Sequence, residues 1–224
     1  MIIRTKEFQM PQKLGVESET LTSTYGKFFA EPFERGFGTT IGNAIRRVLL
    51  SSIAGAAVTS VKIETVLHEF TTVAGVKEDV TDLILNIKNL RFKVHSDRPK
   101  TVRLKKKGPG EACGRDIIHD ADVDVLSPDL HIATLDKDAQ LELEMTIRIG
   151  HGYVPAERNK EETMAIGVIP VDSIFSPVRR VNFTVENARV GRMTDYDKLT
   201  LEIWTDGSVK PDDALAYAAK IMKD

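Results

Sequence analysis

ERGFGTTIGNAIRRVLLSS, residues Glu34–Ser52, is the stretch that decides the fold of this 224-residue chain. Thr39 and Thr40 are of a residue type that can accept hydrogen bonds from the free N–H groups at a helix start. Four apolar residues follow at spacings of four, seven and eight, namely Ile41, Ile45, Val48 and Leu49. Because those spacings return to one side of a helix, the stretch predicts an amphipathic helix that begins after Thr39–Thr40.

Three glycines, Gly36, Gly38 and Gly42, lie at the start of this helix with the spacing G-x-G-x-x-x-G. The dinucleotide-binding fingerprint requires G-x-G-x-x-G, so the pattern misses it by one residue. The chain also lacks the Gly-Lys-Ser/Thr of a Walker loop. A phosphate held by the free N–H groups of the helix start is one interpretation. Turn geometry and close packing are the other.

Strand signals dominate the rest of the chain, and two further helices interrupt them. Apolar residues alternate repeatedly between Phe92 and Ile149, which favours antiparallel strands. A helix is predicted over about Asp79–Asn89, and its apolar stripe is Val80, Leu83, Ile84 and Ile87. A last helix is predicted to begin at Pro211, with Leu215, Ala218, Ala219 and Met222 on its apolar side. The pattern indicates an α+β protein.

Charge is unevenly distributed, although the formal net charge is only -2. Lys and Arg predominate between Lys88 and Lys107, whereas Asp and Glu predominate between Glu111 and Glu144. A nucleic-acid-binding module that uses the basic run is one hypothesis, but base-stacking surfaces usually interleave several aromatic residues, and this run contains only Phe92. The other interpretation is a solvated face of a hairpin.

Candidate catalytic groups are few. Asp120, Asp122 and Asp124 occupy every second position, so on a strand they share one face and could gather magnesium for a phosphoryl or nucleotidyl transferase. The apolar residues between them favour instead a strand with one wet and one buried face. The five histidines are scattered, and Cys113 has no catalytic partner in the sequence. The residues themselves offer no convincing catalytic site and no metal site.

Compartment can be inferred from the cysteine content and from the apolar runs. A lone cysteine excludes a disulfide framework within the chain and favours a reducing compartment, so we expect a cytoplasmic protein. The most apolar run, Val48–Val58, is interrupted by serines and is far shorter than a membrane-spanning helix requires. Membrane insertion is therefore not expected.

Glu34–Ser52 also resembles the signature segment of the alpha subunit of bacterial RNA polymerase, specifically of its amino-terminal assembly region. Shorter matching segments extend the resemblance over essentially the whole chain: Gly55–Thr59, Gly75–Asp79, Leu85–Lys88, Gly152–Ala156, Ser176–Val178, Val185–Glu186, Arg189–Gly191, Thr194–Asp195 and Asp197–Leu199. One departure is Lys210, which stands where the family usually has an acid or another helix-capping residue before Pro211. A weaker start of the last helix follows.

The resemblance implies a discontinuous dimerisation domain, residues 1–54 and 177–224, built from an antiparallel sheet and two helices. A mainly β insert domain, residues 55–176, lies between these two segments. It further implies a non-catalytic scaffold subunit that homodimerises through apolar stripes on the first and last helices and recruits the beta and beta-prime subunits. The dimer-interface residues so implied are Ile41, Ile45, Val48, Leu215, Ala218 and Met222.

Four contact positions with the large subunits are carried over from the family. Arg47 and Leu50 match its contacts with the beta subunit, and Lys88 and Val171 match its contacts with beta-prime. The sequence alone does not show whether Lys88 and Val171 are neighbours. No cofactor is implied for this chain, because the magnesium of the complex belongs to the large subunits, and no direct DNA contact is expected from this region.

Overall fold

The computed structural model describes residues 9–161, 164–190 and 193–224. In chain order its elements are β1 (Leu14–Val16), β2 (Tyr25–Phe33), α1 (Phe37–Ser51), β3 (Ala54–Ile63), α2 (Val80–Lys88), β4 (Phe92–Val94), β5 (Lys100–Lys107), β6 (Gly110–Cys113), β7 (Ile117–Ile118), β8 (Val123–Val125), β9 (His131–Leu135), β10 (Gln140–His151), β11 (Tyr153–Val154), α3 (Ala156–Asn159), β12 (Val168–Pro170), β13 (Ser173–Ile174), β14 (Val178–Val190), β15 (Met193–Thr205) and α4 (Pro211–Lys223). The mixture, in which strands predominate, confirms the predicted α+β class.

These elements form two compact units, and one of the units is built from two separate segments of the chain. The terminal unit combines Met1–Ile53 with Pro177–Asp224, and the inserted unit is Ala54–Ser176. Each unit has its own cluster of buried apolar side chains, so each has its own core. The assignment of dimerisation to the terminal unit stays a prediction.

The terminal unit is an antiparallel sheet on which two helices pack. Its strand order is β1-β2-β15-β14. Leu199, Leu201 and Ile203 are buried at alternate positions of β15, because successive strand residues point to opposite faces. Helix α1 packs on β14 and β15, while α4 contacts α1, β2 and β15. One face of the sheet thus supports both helices.

The inserted unit is built on a larger antiparallel sheet. Its strand order is β7-β5-β10-β3-β4-β8, and β12 also pairs with β3. The long strand β10 buries Leu141, Leu143, Met145 and Ile147 and leaves the residues between them partly exposed. Helix α2 covers this core with Val80, Leu83 and Ile87. The apolar alternation in the sequence of β10 therefore reflects a strand with one buried side and one partly exposed side.

Two of the three predicted helices begin where their sequence signals lie. Asp79 caps α2, and its carboxylate accepts a hydrogen bond from the backbone N–H of Asp82 at 2.7 Å. Pro211 is the first residue of α4, and Lys210 before it makes no side-chain cap. Among the described residues, no helix has the length and apolar character needed to cross a membrane.

The start of α1 was predicted wrongly. The helix begins at Phe37, with Gly36 at the N-cap position, and not after Thr39–Thr40. Gly36 has a φ of 85°, in the left-handed region that side chains rarely adopt. Glycine therefore allows the chain to leave β2 and turn into the helix at Phe37, four residues before Ile41, the first position after the two threonines.

Candidate functional site

The glycines of α1 are explained by close packing against the sheet. A Cβ added to Gly42 would lie 2.7 Å from Cδ2 of Phe183 on β14. A Cβ added to Gly38 would lie 3.0 Å from Cβ of Asp197 on β15. Side chains at either position would push the helix away from the strands. The packing interpretation of the glycine pattern is supported at both positions.

Two of the amides at the start of α1 are bound by a carboxylate. One carboxylate oxygen of Asp197 accepts hydrogen bonds from the N–H of Gly36 at 2.8 Å and from the N–H of Gly38 at 3.1 Å. Asp197 is buried, with 7% of its surface exposed. A phosphate would have to displace this carboxylate, so the structure disfavours the phosphate interpretation.

Arg47 and Leu50 lie on the outward side of α1. The residues of α1 that are buried are Gly38, Gly42 and Leu49. At about 100° per residue, Arg47 lies about 180° from Gly38 around the helix axis, and Leu50 lies about 120° from it. Both side chains are exposed, Leu50 to 36%. This surface, here called the α1 outer face, is free to meet another molecule.

The apolar residues predicted for the dimer interface divide into two groups. Ile41, Ile45 and Val48 are partly buried on the flank of α1, where they pack against the core of the terminal unit. Leu215 is 5% exposed and Ala218 is 0% exposed, because both pack into the core of their own terminal unit.

The buried positions require a correction for α4. Leu215 and Ala218 cannot present their side chains to a second chain in this fold, whereas Met222 is 42% exposed. Sequence reasoning missed Tyr217 and Ile221, which are 56% and 47% exposed. The signal was available, since two large apolar residues lie outside the stripe that starts at Leu215.

Lys88 and the segment that carries Val171 are brought together in the inserted unit, which the sequence could not show. Nζ of Lys88 is 2.6 Å from a carboxylate oxygen of Asp172, the residue that follows Val171. The side chain of Lys88 is 22% exposed, so it is partly covered. Tyr153 is 60% exposed, and its hydroxyl donates to Asp172 at 3.4 Å. The accessible groups here are a lysine, a carboxylate and a tyrosine.

Val171 needs a correction as a contact residue. Only 1% of its surface is exposed, and its side chain belongs to the core of the inserted unit. Its backbone N–H donates to the carbonyl of Thr59 at 2.9 Å, and its carbonyl accepts from Nδ2 of Asn159 at 2.7 Å. Val171 therefore fixes the segment that carries Asp172 rather than offering a side chain of its own.

Glu78 fixes the segment that leads into α2. Its carboxylate accepts three hydrogen bonds from β9: from the backbone N–H of Thr134 at 2.7 Å, from the Thr134 hydroxyl at 3.0 Å and from Nε2 of His131 at 2.9 Å. Burial by itself raises the pKa of Glu78, but the hydrogen bonds from Thr134 and His131 outweigh it and lower the pKa to about 2. We call this arrangement the Glu78 clasp.

Each of the three aspartates forms an ion pair with a basic side chain. Only Asp124 belongs to a strand, because β8 is Val123–Val125. Lys100 forms ion pairs with both Asp120 and Asp122. His95 pairs with Asp124 at 2.8 Å, and the hydrogen bond from His95 lowers the pKa of Asp124. Within the described ranges, no group of three His, Cys, Asp or Glu side chains is arranged to hold a metal ion.

The basic run is matched by the acidic run that follows it. Strand β5 lies beside β10 in a register that places Lys105 opposite Glu142 and Arg103 opposite Glu144. Both cross-strand pairs form ion pairs, at 2.8 Å and 3.0 Å. A run whose positive charges already meet carboxylates attracts phosphates weakly. The structure therefore favours a solvated sheet face over a nucleic-acid surface. The predicted hairpin is wrong, because β5 pairs with β10 and β7, whereas the next strand, β6, pairs with β9.

Comparisons with a family model and with curated proteins point to the same group of proteins. Residues 61–176 match the family described as the RNA polymerase Rpb3/RpoA insert domain. Three similar proteins are each called DNA-directed RNA polymerase subunit alpha. They come from Geobacter metallireducens (62% identical over 96% of this chain and 63% of the relative), Pelobacter propionicus (59% over 96% and 63%) and Symbiobacterium thermophilum (62% over 95% and 68%). The chain thus spans 63% of the length of the first two relatives.

Proposed function

This chain belongs to the family of DNA-directed RNA polymerase alpha subunits, and on that premise we propose that it is a scaffold subunit of the polymerase. In this proposal the chain carries out no catalysis itself. It forms a homodimer, docks the beta and beta-prime subunits and so starts assembly of the transcribing core enzyme. The observation that carries the proposal is the α1 outer face, where Arg47 is exposed on the side of the helix opposite the glycines.

The α1 outer face is the proposed contact with the beta subunit. Arginine is frequent among the residues that dominate interface energies, because its planar group makes several directed hydrogen bonds. The exposed Leu50 adds an apolar contact on the same side of the helix. The rest of α1 is held by the sheet, so the contact is presented on a rigid element.

The beta-prime subunit is proposed to dock where Lys88 meets Asp172 in the inserted unit. This ion pair is partly exposed, and Tyr153 lies beside it. Charged groups of a partner can form ion pairs with Lys88 or Asp172, and the partner can cover the Tyr153 ring. Val171 contributes by holding Asp172 in place, which agrees with its burial.

The homodimer is proposed to use the side of the terminal unit where apolar surface remains exposed. Tyr217, Ile221 and Met222 of α4 are each more than a third exposed, and Ile41 and Ile45 on the α1 flank are partly buried. Permanent interfaces are more apolar than the average surface. Light scattering coupled to size exclusion should give twice the chain mass of 24.9 kDa. A single species of 24.9 kDa at micromolar concentration would refute the dimer.

Co-purification with the beta subunit tests the docking proposal. We expect the unmodified chain to capture beta and Arg47→Ala to lose at least tenfold in affinity, as truncation of a central interface arginine commonly does. Arg46→Ala is the matched control, because Arg46 is the neighbouring exposed arginine and lies about 100° away around the helix. If Arg47→Ala dimerises and still captures beta as well as Arg46→Ala does, the docking proposal is wrong.

A further inference from the structure

No side chain within the start of α1 caps its free amides, although the N–H of Phe37 donates to the backbone carbonyl of Glu34 at 2.9 Å. The first N–H groups of any helix have no partner within the helix, and they carry a partial positive charge. Gly36 at the N-cap has no side chain, and Phe37–Thr40 contain no acidic residue. The compensating group comes from Asp197, which is 161 residues away along the chain from Gly36.

Because Asp197 is buried, its carboxylate is stable only where it accepts hydrogen bonds from nearby donors. A buried carboxylate is costly unless it is hydrogen-bonded to donors. Here both donors are amides of one helix start, at 2.8 Å and 3.1 Å from the same oxygen. Hydrogen bonds to a charged acceptor are about twice as strong as neutral ones. Asp197 and the start of α1 therefore fix each other's position.

The same contact helps to set the direction of the α1 outer face, together with the packing of α1 on β14 and β15. Arg47 lies eleven residues beyond Gly36, which is about 16 Å along a helix at 1.5 Å per residue. A tilt of about 10° at the start would therefore move Arg47 by about 3 Å. A contact group has to be held to within about 0.5 Å of its productive position. Small displacements at the start of α1 become large ones at the outer face.

We propose that Asp197 is a positioning residue for docking of the beta subunit, acting through the start of α1. The inference rests on the proposed function, since it requires that the α1 outer face be the docking surface. Asp197 itself is buried beneath the helix and does not meet the partner. Its part is to hold the helix axis at the angle that presents Arg47 and Leu50.

The test compares Asp197→Ala, Asp197→Asn and the control Asp195→Ala in the full chain. Asp195 is two residues away on the same strand but exposed. For each variant, hydrogen exchange of the Gly36 and Gly38 amides, the dimer mass and the affinity for the beta subunit are measured well below the unfolding temperature. Asn keeps one oxygen that can accept from both amides, so it should restore much of the contact.

We expect Asp197→Ala to speed exchange at Gly36 and Gly38 and to weaken beta capture roughly two- to thirtyfold, the range typical of residues that act without touching the partner. Dimer mass should be unchanged, Asp197→Asn should recover most of the affinity, and Asp195→Ala should match the unmodified chain. Unchanged beta affinity in a folded Asp197→Ala would overturn the inference. So would a loss of capture that accompanies equal losses of dimer and of exchange protection throughout β14 and β15, because that pattern means general unfolding.

The two proposals fail separately. If Arg47→Ala captures beta normally, the docking proposal fails whatever Asp197 does. If Arg47→Ala abolishes capture while both Asp197 variants bind like the unmodified chain, only the positioning inference fails. Should Asp197→Ala not fold, the Asn variant decides: faster exchange at Gly36 and Gly38 with unchanged capture would contradict the inference.

Discussion

Replacing Glu78 with Gln should destabilise the inserted unit by about 3 kcal/mol at neutral pH. The hydrogen bonds from Thr134 and His131 lower the pKa of Glu78 from its ordinary value of 4.5 to about 2. Each pKa unit is worth about 1.4 kcal/mol of preference for the charged form in the folded protein. The Glu78 side chain is only 15% exposed, so solvent screens these bonds little. Gln keeps the shape of the side chain but removes the charge.

The loss should depend on pH in a defined direction. Because the folded pKa is lower than the unfolded one, the ionised carboxylate stabilises the fold fully above about pH 4.5. That contribution disappears as the pH falls towards the folded pKa of about 2. The difference in unfolding free energy between the unmodified chain and Glu78→Gln should therefore be largest at pH 7 and should shrink steadily between pH 4.5 and pH 2.

The assay is denaturant-dependent hydrogen exchange of the β9 amides at several pH values. Trp204, the single tryptophan, lies in the terminal unit, so its fluorescence reports separately on the unit that the mutation does not touch. Glu111→Gln is the control, since Glu111 is exposed and its backbone pairs with Thr134. A loss below about 0.5 kcal/mol, the range of ordinary surface substitutions, or a loss that does not vary with pH, would refute the Glu78 clasp as a stabilising contact.

Two further predictions concern packing and surface charge. Gly42→Ala should lower the unfolding free energy of the terminal unit by about 1 to 2 kcal/mol, because the added methyl group would clash with the Phe183 ring. The cost of this clash exceeds the gain of about 1 kcal/mol in helix propensity. Urea titration followed by Trp204 fluorescence measures it, and a stabilised variant would contradict the close packing. Lys105→Gln should change the stability of the inserted unit by less than about 1 kcal/mol, because Lys105 and Glu142 are both more than a third exposed. A loss of 2 kcal/mol or more in urea denaturation would contradict that estimate.

Local signals made the helix α2 predictable. Asp79 and the apolar period that follows it specify both the start and the buried side within a few residues of sequence. The start of α1 could not be found in the same way, because its capping carboxylate comes from Asp197 on a distant strand. The two threonines were plausible caps, but the glycine turn at Gly36 placed the helix start before them.

Site residues were harder to interpret, because an apolar residue does not reveal which surface it will meet. Val171 and Leu215 are both apolar and were both expected at interfaces, yet each lies in the core of its own unit. The proximity of Lys88 to Asp172 depends on how separate elements of the inserted unit pack. By contrast Arg47, which was carried over from the family resemblance, is exposed on α1, and its contact with the beta subunit stays a prediction.

The discontinuity of the terminal unit determines the order in which a nascent chain can fold. Strand β2 can pair with β15 only after β15 has been synthesised. The amide of Gly36 likewise gains its acceptor only when Asp197 is made, 161 residues later. At synthesis rates of about 5 to 20 residues per second, this delay is roughly ten to thirty seconds. The inserted unit is continuous and can close during that time, while the apolar side of α1 stays uncovered on the ribosome. The terminal unit can therefore complete its core only after β15 has been made.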